Sequence, residues 1–248
     1  MSNKTDRRLH GKKIAFLTAN EGVERVELER PWQAVKAAGG SPELLAPKLG
    51  SVQSFDHLDK SATFPVTTTT AFARAEDYDA VVLPGGVANP DQLRLDDAAL
   101  ELLGEFHAAG KPMAVICHGP WTLLEAGLVR DRTLTSWPSL QTDIRNAGGN
   151  WIDKELVIDD GLVSSRKPDD LDAFCEALVE RFGRGRLAAA DLRRDLECGG
   201  ESGDGHGHCL APVATAGYRH SCLVGRSARG APYRGRRPFV HDARTATP

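Results

Sequence analysis

Short apolar runs alternate with amphipathic stretches over the first 182 residues. Lys13–Leu17 (KIAFL) is an apolar run that stops at polar Thr18-Ala19-Asn20, the pattern of a strand buried on both faces. Leu28, Trp32, Val35 and Ala38 then recur at helical spacing before Gly39-Gly40, with Pro31 inside the pattern. That proline predicts a kinked helix, or one whose regular part starts near it. PELLAP reads as a second strand, and Ser51 to Thr70 alternates weakly, as a small hairpin does. Tyr78–Leu83 (YDAVVL) is a buried strand broken at Pro84-Gly85-Gly86. Asp96 to Ala109 is an amphipathic helix with acidic residues at its start. Lys111–Ile116 is another buried strand, followed by Cys117-His118-Gly119 and the helical PWTLLEAGL. Residues 151–165 predict a hairpin turning at Asp160-Gly161. Asp169 to Phe182 lines Leu171, Phe174, Cys175, Leu178 and Phe182 along one helical face.

Strand and helix signals in this alternation predict an α/β fold, a doubly wound, mostly parallel sheet with helices on both faces. Ligands in such folds bind beyond the carboxyl ends of the strands. The chain divides into a basic leader (1–11), an α/β domain (12–182) and a tail (183–248). The tail has Arg but no Lys, is rich in Gly, Ala and Ser, and lacks sustained periodicity, a composition that predicts disorder.

Charge sharpens this division. Residues 1–182 carry 20 basic and 28 acidic side chains, whereas 183–248 carry 11 and 6. An acidic domain gives no electrostatic reason to bind nucleic acid. No apolar run approaches the roughly 20 residues needed to span a bilayer. The leader has no apolar segment of signal length behind it, so a cytoplasmic protein without a membrane partner is expected. Of five cysteines only Cys117 and Cys175 lie in the domain, which argues against a disulfide framework. Cys198, His206, His208, Cys209, His220 and Cys222 in the tail are metal-ligand types, but their spacing matches no paired Cys-x-x-Cys site. No metal or cofactor is expected.

The chemistry concentrates after strands. In Ala114–Pro120 (AVICHGP) a buried strand ends at Cys117 and a helix begins within three residues, the arrangement of a nucleophile elbow. The helix N-terminus there would lower the thiol pKa. Gly119 permits a tight turn. The plain alternative is a small buried cysteine closing a strand. If the strand ending at Pro84-Gly85-Gly86 is a neighbour, the Gly86 and His118 amides could form an oxyanion hole. Glu21, Glu24 and Glu27 follow the first strand, where a carboxylate could tune the sulfur; alternatively they are acids at a helix start. His118 adjoins Cys117, and adjacent side chains usually diverge, so it could contribute its amide alone. Cys175 reads as packing, and Trp121 and Trp137 as core or cleft wall.

Together TANEGVERVEL, VVLPGG, NPDQLR, AVICHGPWTL and GLVSSRKPDDLDAF resemble the PfpI branch of the ThiJ/PfpI superfamily, from about Lys12 to Phe182. The resemblance implies a flavodoxin-like sandwich related to class I glutamine amidotransferase domains. It implies Cys117 as nucleophile with His118 beside it, Glu24 as the carboxylate contacting the sulfur, Glu21 as a weaker candidate, and Gly86 in the oxyanion hole. It further implies a homo-oligomer in which Asp91 of a neighbouring copy completes a Cys-His-acid triad. Implied activities are those of a cysteine hydrolase or lyase: an intracellular protease, or a glyoxalase-III-like or deglycase stress enzyme, acting on a small carbonyl compound or a peptide or protein. The competing reading is a non-enzymatic, redox-responsive stress protein or holdase using an oxidisable Cys117. A glutamine amidotransferase would need a late His-x-Glu pair, which the sequence lacks.

Overall fold

The structure, a computed structural model, describes residues 7–185. Its twelve strands are β1 (Lys13–Leu17), β2 (Glu21–Glu24), β3 (Ser41–Ala46), β4 (Ser51–Asp56), β5 (Asp59–Pro65), β6 (Thr68–Thr69), β7 (Ala80–Leu83), β8 (Met113–Ile116), β9 (Thr133–Leu134), β10 (Asn150–Trp151), β11 (Leu156–Asp159) and β12 (Leu162–Ser165). The helices are α1 (Arg25–Ala37), α2 (Ala88–Leu93), α3 (Asp97–Ala108), α4 (Pro120–Glu125), α5 (Gln141–Asn146) and α6 (Leu171–Arg184).

Seven strands form the central sheet in the order β11-β12-β8-β7-β1-β3-β6. Every pairing is parallel except β11 with β12. The apolar runs sit at its centre because a strand covered by helices on both faces can bury every residue. Alternate residues of β1 accordingly feed two cores. Ile14 and Phe16 pack with α1 and α6 residues such as Leu28, Phe174 and Phe182. Ala15 and Leu17 pack with Leu102, Leu103 and Phe106 of α3 and with Leu123 of α4. This is the flavodoxin-like sandwich expected.

The second hairpin turns at Asp160 and Gly161, both with positive φ as a two-residue turn of this hand requires. Other elements depart from the sequence pattern. Helix α1 starts at Arg25 and runs through Pro31 rather than beginning near it. The stretch after β1 is not a free loop: β2 pairs in parallel with β4, which pairs antiparallel with β5, giving a second, three-stranded sheet. Helices α2 and α5, six residues each, are too short to show a period. Residues 7–11 of the leader are docked: Leu9 is fully buried, and its amide donates to the Ala38 carbonyl at 2.9 Å. Helix α6 carries on through Gly183 and Arg184, the first residues of the expected disordered tail; beyond Gly185 the rest of that tail, with its Cys and His residues, lies outside the described residues. No helix among the described residues is long and apolar enough to cross a membrane.

Candidate active site

Strand β8 delivers Cys117 to a turn with φ +62°. A side chain in this left-handed conformation costs roughly 1–2 kcal/mol, so the surrounding structure must enforce it. It does so from both sides: the Cys117 amide donates to the Ser165 carbonyl at 3.1 Å, and its carbonyl accepts from the Trp137 amide at 2.9 Å. Gly119 is required by close approach, because a Cβ there would lie 2.7 Å from the Leu83 carbonyl oxygen. The nucleophile-elbow geometry read from the sequence is thus present. Cys117 is 6% exposed and faces a cavity of about 500 Å³.

The neighbouring strand β7 brings Gly85 and Gly86 alongside. Gly86 has φ +81°, and a Cβ on it would lie 2.2 Å from the Gly22 carbonyl oxygen. Its amide and that of His118 hydrogen-bond toward the Cys117 sulfur, the pair expected of an oxyanion hole. Buried Asn89 fastens this loop. Its Oδ1 accepts from the Ala19 amide at 2.7 Å, and its Nδ2 donates to the Pro84 and Gly85 carbonyls at 3.0 Å each.

The carboxylate beside the sulfur is Glu27, not Glu24. Glu27 lies in the first turn of α1, fully buried, and its Oε2 accepts from the Gly85 amide at 2.9 Å. Its Oε1 has no regular hydrogen-bond partner, so its interaction with the Cys117 side chain falls short of ordinary hydrogen-bond geometry. Glu24 ends β2 with extended backbone three residues earlier, and its Oε2 accepts from the His57 amide at 3.1 Å. The two acids therefore face different neighbours: Glu24 lies on the cavity rim and Glu27 at its floor. Glu21 is exposed on β2.

Burial pushes the Glu27 carboxyl up to about 8, against the weaker opposing effects of Cys117 and the Gly85 amide. Burial also pushes the Cys117 thiol up, with the nearby Glu27 carboxylate adding to it, while the Gly86 and His118 amides pull it down. Helix-terminus activation, expected from the sequence, is outweighed: α4 is only six residues long and the sulfur is desolvated.

His118 does reach the sulfur. Its Nδ1 lies 3.2 Å from Cys117 Sγ, because the left-handed turn swings the two side chains together. Its ring stacks on Trp137 with centroids 5.7 Å apart, and Ser139 Oγ lies 3.5 Å from Nε2. Burial lowers the His118 pKa to about 4, so the imidazole is neutral near pH 7. Asp91 is exposed on α2 and makes no described contact with His118 within the chain. Glu27 is one of three acids the sequence leaves open, whereas Asn89, Ser139 and the His57-Leu58 turn that borders the cavity are missed. Helical phase does not single Glu27 out, because Glu24 lies four, seven and eleven residues before the buried Leu28, Pro31 and Val35; what separates the two is that α1 begins at Arg25, after Glu24.

This arrangement can hold a thiolate, accept its proton and stabilise negative charge beside it. Residues 12–181 match the DJ-1/PfpI family. A deglycase of Pyrococcus horikoshii is 39% identical over 168 residues, covering 68% of this chain and 98% of its own. Deglycase PfpI of Pyrococcus furiosus is 38% identical over the same length, covering 68% and 98%. A solved two-domain protein from Anabaena variabilis, with DJ-1/ThiJ/PfpI-like and ferritin-like domains, is 33% identical with a TM-score of 0.66, covering 69% of this chain and 48% of that one. Drosophila melanogaster DJ-1beta is 26% identical with a TM-score of 0.63, covering 69% and 90%. The chain belongs to the DJ-1/PfpI family.

Proposed function

We propose that the chain is a cysteine-dependent hydrolase or lyase of the PfpI type, in which the Cys117 thiolate adds to a carbonyl carbon. The observation that carries this reading is the setting of one sulfur. It sits on a strained turn with the Gly86 and His118 amides on one side and a buried carboxyl of raised basicity on the other.

The proton balance follows from that setting. An ionised Glu27 takes the Cys117 thiol proton and becomes the neutral acid that its buried position favours. The thiolate forms a C–S bond to the carbonyl carbon, and the carbonyl π pair moves to oxygen. The Gly86 and His118 amides hold that oxyanion, each such donor being worth roughly 3 kcal/mol in acyl-transfer enzymes. Glu27 returns the proton to the oxygen or to a departing nitrogen. Neutral His118, 3.2 Å from the sulfur, is a second proton acceptor within reach. No cofactor is needed.

Relatives named deglycases favour a small carbonyl compound, or its adduct on a protein, over an unmodified peptide as substrate. A reducing, cytoplasmic compartment suits a thiol nucleophile with no disulfide among the described residues. We include in the reading a homo-oligomer in which Asp91 of a neighbouring copy approaches His118 Nε2. Its support is that Asp91 is exposed, next to the rim residues Val87 and Ala88, and that Nε2 has only a distant Ser139 hydroxyl. The redox-sensor reading has less support, since burial raises the thiol rather than exposing a stable thiolate.

Turnover of methylglyoxal, of methylglyoxal-modified arginine and of unmodified peptides by wild type and Cys117→Ala tests this. Loss of at least about a hundredfold in the variant, with the fold intact, is expected. Half or more of the activity retained would remove the assignment.

A further inference from the structure

We infer that Glu24 makes this cavity favour molecules with a cationic group near the reacting carbon over those bearing a carboxylate, sulfonate or phosphate there. The inference rests on Cys117 being the reacting atom but concerns what approaches it.

Besides Cys117, four titratable side chains line the cavity: Glu24, Glu27, His57 and His118. None of the lining residues is a lysine or arginine. Of the nearest cations in sequence, Arg25, Arg166 and Lys167 are tied to carboxylates of their own, while Lys60, opposite Phe55 on β5, is exposed and does not line the cavity. Arg25 bonds Asp56 at 2.8 Å and Glu29 at 3.0 Å. Arg166 bonds Asp170 and Asp153 at 2.8 Å each, and Lys167 pairs with Asp169 at 2.8 Å. Those three groups are compensated, so within the cavity lining itself an arriving anion meets no lysine or arginine.

Glu24 is different from its buried neighbour. Glu27 sits at the cavity floor against the Gly85 amide, whereas Glu24 is half-buried at the rim, its carboxylate oriented by the His57 amide. A carboxylate in such a low-dielectric recess acts on an incoming charge more strongly than one in open water. The apolar part of the lining suits the rest of the substrate. Phe55, Leu58, Val87 and Trp137 are apolar, fit for a hydrocarbon stem, and aromatic faces also attract a cationic head. The charge that sequence reading places on the sulfur thus sits at the entrance, where it acts on selection.

The test uses three methanethiosulfonates on the full chain: a neutral methyl, a cationic trimethylammonium-ethyl and an anionic sulfonatoethyl reagent. Modification of Cys117 is followed by peptide mass spectrometry, which separates it from the other cysteines. The cation-to-anion rate ratio, divided by that of a small free thiol, should exceed about ten in wild type. In Glu24→Gln, which keeps an oxygen for the His57 amide, the ratio should fall about three- to tenfold, with the neutral rate changed by less than about twofold. An unchanged ratio, or a wild-type preference for the anion, overturns the charge role alone. Failure of Cys117 to react with even the neutral reagent overturns the nucleophile itself, and this inference with it. Should Glu24→Gln not fold, the wild-type ratio decides: a collapse between about 20 mM and 500 mM salt supports the inference, and constancy refutes it.

Discussion

Strands β1, β7 and β8 have a cavity at each end, and the two cavities differ in kind. At the carboxyl ends lies the Cys117 cavity of about 500 Å³, and at the amino ends a cavity of about 590 Å³ lined by Lys12, Arg74, Glu76, Asp79, Glu105 and Lys111. The second holds more charge but less tension. Lys111 Nζ donates to the Ala75 carbonyl at 2.6 Å and to that of Tyr78. The Ala75 amide donates to Glu105 at 3.1 Å, and the Lys13 amide to Asp79 at 2.9 Å. The first has a cysteine in a left-handed turn, a glycine with no room for a Cβ unless its neighbours shift and a buried carboxyl oxygen without a regular partner. Charge satisfied by its neighbours builds structure; strain and an unsatisfied acid mark the reactive end.

The largest effect should come from closing the reactive end sterically. Gly86→Ala places a methyl against the Gly22 carbonyl and displaces the amide facing the sulfur, so kcat/KM should fall by at least about a hundredfold. Steady-state kinetics beside circular dichroism checks it.

Glu27→Gln removes titration and leaves volume. The folded-state Glu27 pKa, about 8, lies above its ordinary 4.5, so proton uptake favours the fold. That contribution is fully present below about pH 4.5 and disappears as pH rises through 8. Wild type should therefore lose unfolding free energy relative to Glu27→Gln between pH 5 and 9, as read by denaturant titration. The wild-type rate of Cys117 alkylation should also show an inflection near 8 that the variant lacks.

At the opposite end, Lys111→Met removes the donor to two carbonyls and should cost about 1–3 kcal/mol in stability. Cys117 labelling should stay within about twofold of wild type. A large fall in labelling would show that the two ends are coupled after all.

The smallest effect concerns strain itself. Glycine usually destabilises relative to alanine, but at φ +62° the order should reverse, leaving Cys117→Gly more stable than Cys117→Ala by about 1 kcal/mol. Paired melting curves would decide.

Much of this was legible in the chain. Apolar runs mark the buried strands because parallel strands bury both faces, and Cys117, His118 and Gly86 are locatable because each lies within three residues of the end of such a run. The exchange of Glu24 for Glu27 was not, since three residues separate them and the outcome depends on where β2 ends and α1 begins. That boundary is set by pairing with β4, a contact between Val23 and Ser54 distant in sequence. The His118–Cys117 contact was likewise hidden, because it arises from a positive φ that only the pinned turn creates. The role of Asn89 was hidden because, although it donates to Pro84 and Gly85 within its own loop, the bond it accepts from Ala19 is formed only by the fold.

The β4–β5 turn, His57 and Leu58, borders the cavity with His57 at φ +59° and Leu58 93% exposed. It belongs to the small sheet, anchored by Gln53 and Ser54 to the carbonyls of Ser61 and Ala62, and carries no reacting atom. Entry and chemistry are thereby housed on separate scaffolds. A lengthened or reshaped hairpin can retune what is admitted while the elbow beneath stays untouched, a modularity that makes this part of the molecule the natural place for diversification.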